Sequence, residues 1–235
     1  MINFKFILES IPSLIGAIPI TLLMAFSAAI IGWILGLGIA LIRKNKVPVV
    51  SQICAVFVSF MRGVPIIILL YIAYYALPIA IYNYGVSIGR EIDTSTVPAV
   101  VYAIIALVLD QAAYSSEIFR SALSAVDEGQ MEACYSVGMT KSQALTRIIL
   151  PQAMAIALPN LGGLFLGLVK GTSLAYYVGV YEITATANLL AMPALNFIEA
   201  YIMTTLIYEI LSFIFNKCFR QVENRFKRFR ATATA

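Results

Sequence analysis

Apolar residues dominate the chain in five long runs, at residues 11–42, 47–81, 97–119, 152–177 and 197–216, with polar punctuation between them. A membrane-spanning helix needs about 20 apolar residues, each adding about 1.5 Å. Every run meets that length. The pattern predicts an all-α integral membrane protein, a single domain over residues 1–235, with five transmembrane helices at about 19–42, 50–81, 97–119, 152–177 and 197–216. Pro12 and Pro19 near the start of the first run predict a surface-lying lead-in before a helix from about Pro19. No small-residue cleavage site clearly follows, so that run is expected to be retained. The second run is broken only by Arg62 in FMRGVP, where Gly63 and Pro65 can interrupt the helix and free backbone groups for a ligand.

Composition sharpens this picture. Residues are 61% hydrophobic and 12% charged, and the mean hydropathy of +0.89 is more than one soluble globule can bury. Orientation follows the basic residues. They cluster in RKNK (43–46), in the loop after the third helix (Arg120, Lys141, Arg147) and in the tail (Lys217, Arg220, Arg225, Lys227, Arg228, Arg230), against Lys5 and Arg90 on the other side. The N-terminus is therefore expected outside and the C-terminus in the cytosol. The aromatic and basic tail FNKCFRQVENRFKRFRATATA is best read as a flank that stops translocation and meets lipid, with no nucleic-acid partner. Cys54, Cys134 and Cys218 lack metal-ligand spacing and are expected as free thiols. The chain has no histidine, which argues against a metalloenzyme or a His-based hydrolase; no catalytic or metal residues are assigned.

One stretch interrupts the apolar pattern between the third and fourth helices: EGQMEACYSVGMTKSQALTRIILP, residues 128–151. Helix formers over 124–136 carry an acidic first turn (Asp127, Glu128, Glu132) that suits a helix N-terminus. Gly138 can end that helix in a left-handed conformation, and TKSQALTRIIL can start a second one that Pro151 punctuates. Glu132, Ala133 and Cys134, then Gly138, then Ile148 to Pro151 resemble the E-A-A-x3-G-x9-I-x-L-P loop of bacterial ABC importer membrane subunits, with Cys134 at the second alanine. FMRGVP (60–65) resembles the F-R-G-T-P element of the polar amino-acid permease branch. AAYSSEIFRSAL (112–123) resembles its A-A-Y-x-x-E-I-x-R element, and VKGTSLAYYVGVYE (169–182) its K-D-T-S-L-x-x-x-I-G-V-x-E element. These elements are collinear from Phe60 to Glu182.

The resemblance implies the type I importer fold and a bacterial cell-membrane permease for a polar amino acid. It implies that the loop at 121–151 is a coupling element, with Glu128, Glu132, Ala133, Cys134, Gly138 and Pro151 at its contact with an ATPase dimer. ATP and Mg²⁺ would be used by that partner, since this chain has no G-x4-G-K-[ST] phosphate loop and binds no cofactor itself. A second permease copy or a homologous subunit and an extracytoplasmic amino-acid-binding protein complete the implied assembly. Alternating access is the implied mechanism. Overall similarity leans toward cystine, while an arginine or glutamine importer could use much the same residues.

Ionisable residues inside membrane helices cost several kcal/mol unless paired or hydrated, so each marks a candidate site. Asp110, Tyr114 and Glu117 fall at i, i+4 and i+7 on one face, with Gln111 beside them. Arg62 lies at the helix break, and Lys170 is followed by Gly171, Thr172 and Ser173. Lys170 sits about 28 Å beyond Pro151 if the segment is helical, near the outer half of the bilayer unless the proline begins deep in the cytosol. An amino acid carries both charges, so Arg62 and Lys170 suit its carboxylate, and Asp110, Glu117 and Glu209 its ammonium. For Glu117 a structural or gating pair with Arg120 is favoured; Glu199 is expected to snorkel at the outer interface. The tyrosines of YIAYYALPIAIYNY (71–84) read either as an interfacial belt, the preferred account, or as a ligand cage. The alternative function is an ion-gradient-driven transporter or channel using the membrane carboxylates, which predicts inverted repeats that are not evident.

Overall fold

The computed structural model describes residues 2–233, with side chains through residue 226, so the side chains of Lys227, Arg228 and Arg230 lie outside the described residues. The elements are α1 (Phe4–Lys44), α2 (Val50–Gly63), α3 (Ile66–Ser87), α4 (Ala99–Ser124), α5 (Gly129–Ser136), α6 (Lys141–Ala144), α7 (Leu150–Gly171), α8 (Ile183–Ala191) and α9 (Phe197–Ala233). A π turn at Leu145–Ile149 joins α6 to α7, and a 3₁₀ segment at Thr172–Val178 extends α7. Among the described residues, five helical stretches are long and apolar enough to cross a membrane: Phe4–Lys44, Ile66–Ser87, Ala99–Ser124, Lys141–Val178 and Phe197–Phe226.

The proline-based lead-in is not formed. α1 runs unbroken through Pro12 and Pro19, because tertiary contacts outweigh the lost hydrogen bonds. Asn3 caps its first turn by accepting from the Phe6 amide at 3.1 Å. Leu14 is buried with Ala187, Ala191, Ala200 and Met203 of α8 and α9. Glu199 does not snorkel: it is buried and accepts from the Asn3 amide at 2.8 Å. The second apolar run is two helices rather than one over 50–81. Val64 is extended (φ −96°, ψ 131°), as the residue before a proline prefers, and α3 begins after Pro65. Nor does Pro151 separate the second loop helix from the fourth crossing: it sits in the first turn of α7, just after the π turn. There its missing N–H costs least, and the widened turn relieves the clash with the preceding carbonyls.

α1 and α4 pack along a seam of small residues. Ala25, Ala28, Ala29, Gly32, Gly36 and Ala40 are all buried on α1. A Cβ at Gly32 would lie 2.6 Å from the Gln111 Cβ and 3.0 Å from the Val108 carbonyl oxygen. Small residues substitute for a hydrophobic driving force inside a bilayer, because they let backbones approach and gain dispersion contacts. The approach also lets Ser115 donate to the Gly32 carbonyl at 3.3 Å. Around this seam, Phe165 of α7 joins an aromatic cluster with Phe26 and Trp33 of α1 and Phe215 and Phe219 of α9, at ring centroid distances of 5.2, 6.4, 5.2 and 5.5 Å.

Gly32→Val is expected to force the seam apart at a cost of about 1–3 kcal/mol. Thermal unfolding of the purified protein in nanodiscs should show a clear drop in Tm. Gly16→Val, where an added Cβ meets nothing within 4 Å, should leave Tm nearly unchanged; equal losses in both variants would reject the seam as the tight contact.

Candidate functional site

A cleft of ≈ 560 Å³ opens where the α2–α3 break faces α4 and α7. Arg62 and the Gly63–Ile66 turn form one wall, Asp110, Gln111 and Tyr114 the second, and Gly163, Gly167 and Gly171 of α7 the third. The break puts Arg62 here: with α2 ended at Gly63, the guanidinium turns over the Tyr114 ring at 5.4 Å from its centroid, a cation–π contact. Asp110 receives only a long bond from the Gln111 amide at 3.4 Å and has no Lys or Arg partner among the described residues. Gln111 is buried, and its Oε1 has no hydrogen-bond partner. The cleft thus holds a cation and an anion that do not neutralise each other, an arrangement suited to a small zwitterion.

The other charged candidates are drawn elsewhere. Glu117 does not face the cleft; it binds Arg43 of α1 and accepts from Arg120 at 2.7 and 2.9 Å. The predicted stripe on α4 therefore splits, its near end closing an ion-pair triad. Lys170 pairs with Glu209 at 3.0 Å. Glu209 stands eight residues before Lys217 and twelve after Phe197, about 12 and 18 Å along α9, so the pair lies near the middle of that stretch of helix. Thr172 is buried and donates to the Val169 carbonyl at 2.7 Å, and Ser173 donates to the Lys170 carbonyl at 2.7 Å. These hydroxyls satisfy their own helix.

The polar loop differs from its sequence pattern in two ways: α5 starts at Gly129 rather than near residue 124, so only Glu132 of the three acidic residues lies in its first turn, and α6 runs through the π turn into α7 without a break at Pro151. α5 ends at Gly138, whose φ of +78° is costly for other residues. The Met139 amide donates to the Cys134 carbonyl and the Gly138 amide to that of Tyr135, both at 3.0 Å, a Schellman closure. Thr140 and Gln143 form a reciprocal capping box at the start of α6. Cys134 is buried, whereas Glu132 and Tyr135 are exposed. The loop is tied to α1 by Lys141, which donates to the Asn45 side chain at 2.9 Å, and Lys44 donates to the Leu123 carbonyl at 2.7 Å.

One residue had no assigned role in the sequence. Glu182 is fully buried; its carboxylate accepts from the Ala185 amide at 2.8 Å and the Tyr208 hydroxyl at 2.7 Å, capping α8 and linking it to α9. The available signal was its place at the end of VKGTSLAYYVGVYE. Of the 71–84 tyrosines, Tyr74, Tyr75 and Tyr82 line a cavity of ≈ 680 Å³ together with Tyr102, Glu91 and Asp93. Bonds from the Ser95 hydroxyl and amide hold Asp93 below the usual carboxylate range.

Residues 28–228 match the family described as binding-protein-dependent transport system inner membrane component. The chain is 46% identical over 215 residues to the probable amino-acid permease protein YxeN of Bacillus subtilis, covering 92% of each. It is 36% identical over 220 residues to the L-cystine transport system permease protein TcyL of the same organism, covering 94% of this chain and 90% of that one. It superimposes on the crystal structure of an amino acid ABC transporter with histidines at a TM-score of 0.78 and 29% identity, covering 96% of this chain and 99% of that one.

Glu182→Ala would leave the Tyr208 hydroxyl and the Ala185 amide without their buried acceptor, at about 1–3 kcal/mol each. Tm should fall by several degrees, while Glu182→Gln, which keeps one acceptor oxygen, should retain most of the stability. Equal Tm for the alanine and glutamine variants would show that the carboxylate does not hold α8 to α9.

Proposed function

This chain belongs to the family of binding-protein-dependent transport system inner membrane components, as the permease subunit of a bacterial amino-acid ABC importer, and we propose that its α2–α4–α7 cleft is where the amino acid passes. Arg62 meets the carboxylate, Asp110 the ammonium, and Gln111 and Tyr114 fix the orientation. The observation that carries this reading is that Arg62 and Asp110 line one cleft and neither has an ion-pair partner there among the described residues. Such charges are costly in a membrane unless a ligand or water meets them. Cystine is the favoured substrate, in keeping with the likeness to an L-cystine permease; its two ammonium and two carboxylate groups suit a site with both charges.

The 121–151 loop is the coupling element, with Glu128, Glu132, Ala133, Cys134, Gly138 and Pro151 shaping the surface that meets the ATPase dimer. ATP and Mg²⁺ are used there. The N-terminus lies outside, where a binding protein delivers the amino acid, and the C-terminus in the cytosol; a second permease subunit completes the pathway. ATP-driven closure of the motor moves the loop, and the Lys141–Asn45, Lys44–Leu123 and Arg43–Glu117 contacts carry that motion to α1 and α4. Alternating access is the mechanism that this coupling serves.

The test is uptake of a panel of amino acids, cystine included, into vesicles holding the complete complex. Uptake is expected to require ATP and the ATPase. Asp110→Asn removes a charge-assisted contact of about 1.5–3 kcal/mol, equivalent to tenfold or more in transport efficiency. Gly138→Val, strained at positive φ, should uncouple ATP hydrolysis from uptake without changing binding-protein affinity. Uptake driven by an ion gradient without the ATPase would reject the reading in favour of a secondary transporter.

A further inference from the structure

Tyr74, Tyr75 and Tyr82 of α3 and Tyr102 of α4 converge with Glu91 and Asp93 of the α3–α4 connection on the cavity of ≈ 680 Å³. Its walls are held in place by specific contacts. The connection folds back tightly on the end of α3: the Arg90 amide donates to the Gly85 carbonyl at 2.9 Å, and a Cβ at Gly85 would lie 2.6 Å from the Arg90 carbonyl oxygen and 2.8 Å from Ile92 Cγ1. The Ser95 amide and hydroxyl donate to the Asp93 carboxylate at 2.8 and 2.6 Å, and the buried Tyr102 donates to the Thr94 carbonyl at 3.4 Å. Tyr74 stands edge-on to both Tyr75 and Tyr102, at ring centroid distances of 5.0 and 6.2 Å. Tyrosines of an interfacial belt meet lipid headgroups one by one; these share a single hollow with two carboxylates.

The chemistry of the lining selects the ligand. No lysine or arginine lines the cavity, and among the described residues neither Glu91 nor Asp93 forms an ion pair. No third carboxylate or cysteine joins them, among the described residues, in a group that could hold a metal ion. Tyrosine rings instead attract organic cations that come within about 6 Å of their faces. We propose that the cavity binds a small organic ammonium ion, whose N–H groups donate to Glu91 and Asp93 while its methylenes and charge lie against the rings. The cavity sits at the end of α4 away from the 121–151 loop, and Tyr102 and Asp110 are eight residues apart, about 12 Å along the helix. On the permease reading above, on which this role rests, the cavity is an outer station: it takes the amino group of an arriving solute before Asp110 does. Its negative charge favours solutes with a spare ammonium and disfavours those with a spare carboxylate.

The test is equilibrium binding of radiolabelled cadaverine, a diamine with no carboxylate, to the permease and ATPase complex in nanodiscs. The amino-acid-binding protein is left out so that its own site does not contribute. Saturable binding is expected, and glutarate, of the same carbon count and opposite charge, should not compete. Glu91→Gln combined with Asp93→Asn removes charge-assisted bonds and should weaken binding by about tenfold. Tyr75→Leu removes one ring and should weaken it by about threefold. All three side chains are exposed, so Tm is expected to hold; where the loop double variant lowers Tm, Tyr75→Leu decides in its place. Absence of saturable binding, or binding that the deciding variant leaves unchanged, would overturn the proposal. Binding lost in Asp110→Asn but kept in the loop variant would put the diamine in the cleft and overturn it equally. If vesicles of the complete complex show ATP-dependent uptake while cadaverine does not bind, only the outer station is rejected; if uptake itself needs no ATPase, the permease reading falls instead.

Discussion

The close contact between α1 and α4 is the interaction on which the rest of the molecule depends. Without water, every backbone and side-chain polar group in the membrane region must find its partner within the protein. α4 carries several of them, including Ser115, Ser116 and Glu117. It can do so because Gly32 and Gly36 of α1 leave no side chain in the way. Ser115 then reaches the Gly32 carbonyl, Ser116 donates to the Ala113 carbonyl at 2.8 Å, and Glu117 finds Arg43 at the end of α1. Small residues on one helix thus permit polar residues on the next, and the polar residues in turn fix the register of the pair.

Crossings were legible in the sequence because apolar length alone decides what a bilayer accepts. Proline was less informative. Pro65 does end a helix, because Gly63 precedes it and an extended residue at Val64 costs little. Pro12 and Pro19 do not, because α8 and α9 pack against the same segment and the burial of Leu14 and Ala17 compensates for the lost bonds. Pro151 falls between these cases, absorbed by a π turn that local sequence does not announce. The outcome at each proline is set by tertiary neighbours up to nearly two hundred residues distant, which no local pattern encodes.

The same limit separates the charges. Helical spacing puts Asp110, Tyr114 and Glu117 on a common face, but a face has two ends with different neighbours. Arg43, 74 residues away, claims Glu117, while Asp110 is left facing the gap opened by the α2–α3 break. Lys170 is claimed by Glu209, 39 residues away on α9, a partner that helical spacing within α7 does not reveal. Glu182 escaped notice because it lies outside the long apolar runs, where a carboxylate looks unremarkable until burial shows that it holds two helices together.

Asp110 and Glu117 are two turns apart on one helix, about 10 Å along its axis. The first lines the cleft; the second is bound to the end of α1, which also holds the Lys141 side of the loop through Asn45. The loop also reaches the cleft through the π turn into α7. It therefore adjoins two walls of different character, the charged one on α4 and one on α7 where Gly163, Gly167 and Gly171 alternate with Leu164 and Leu168.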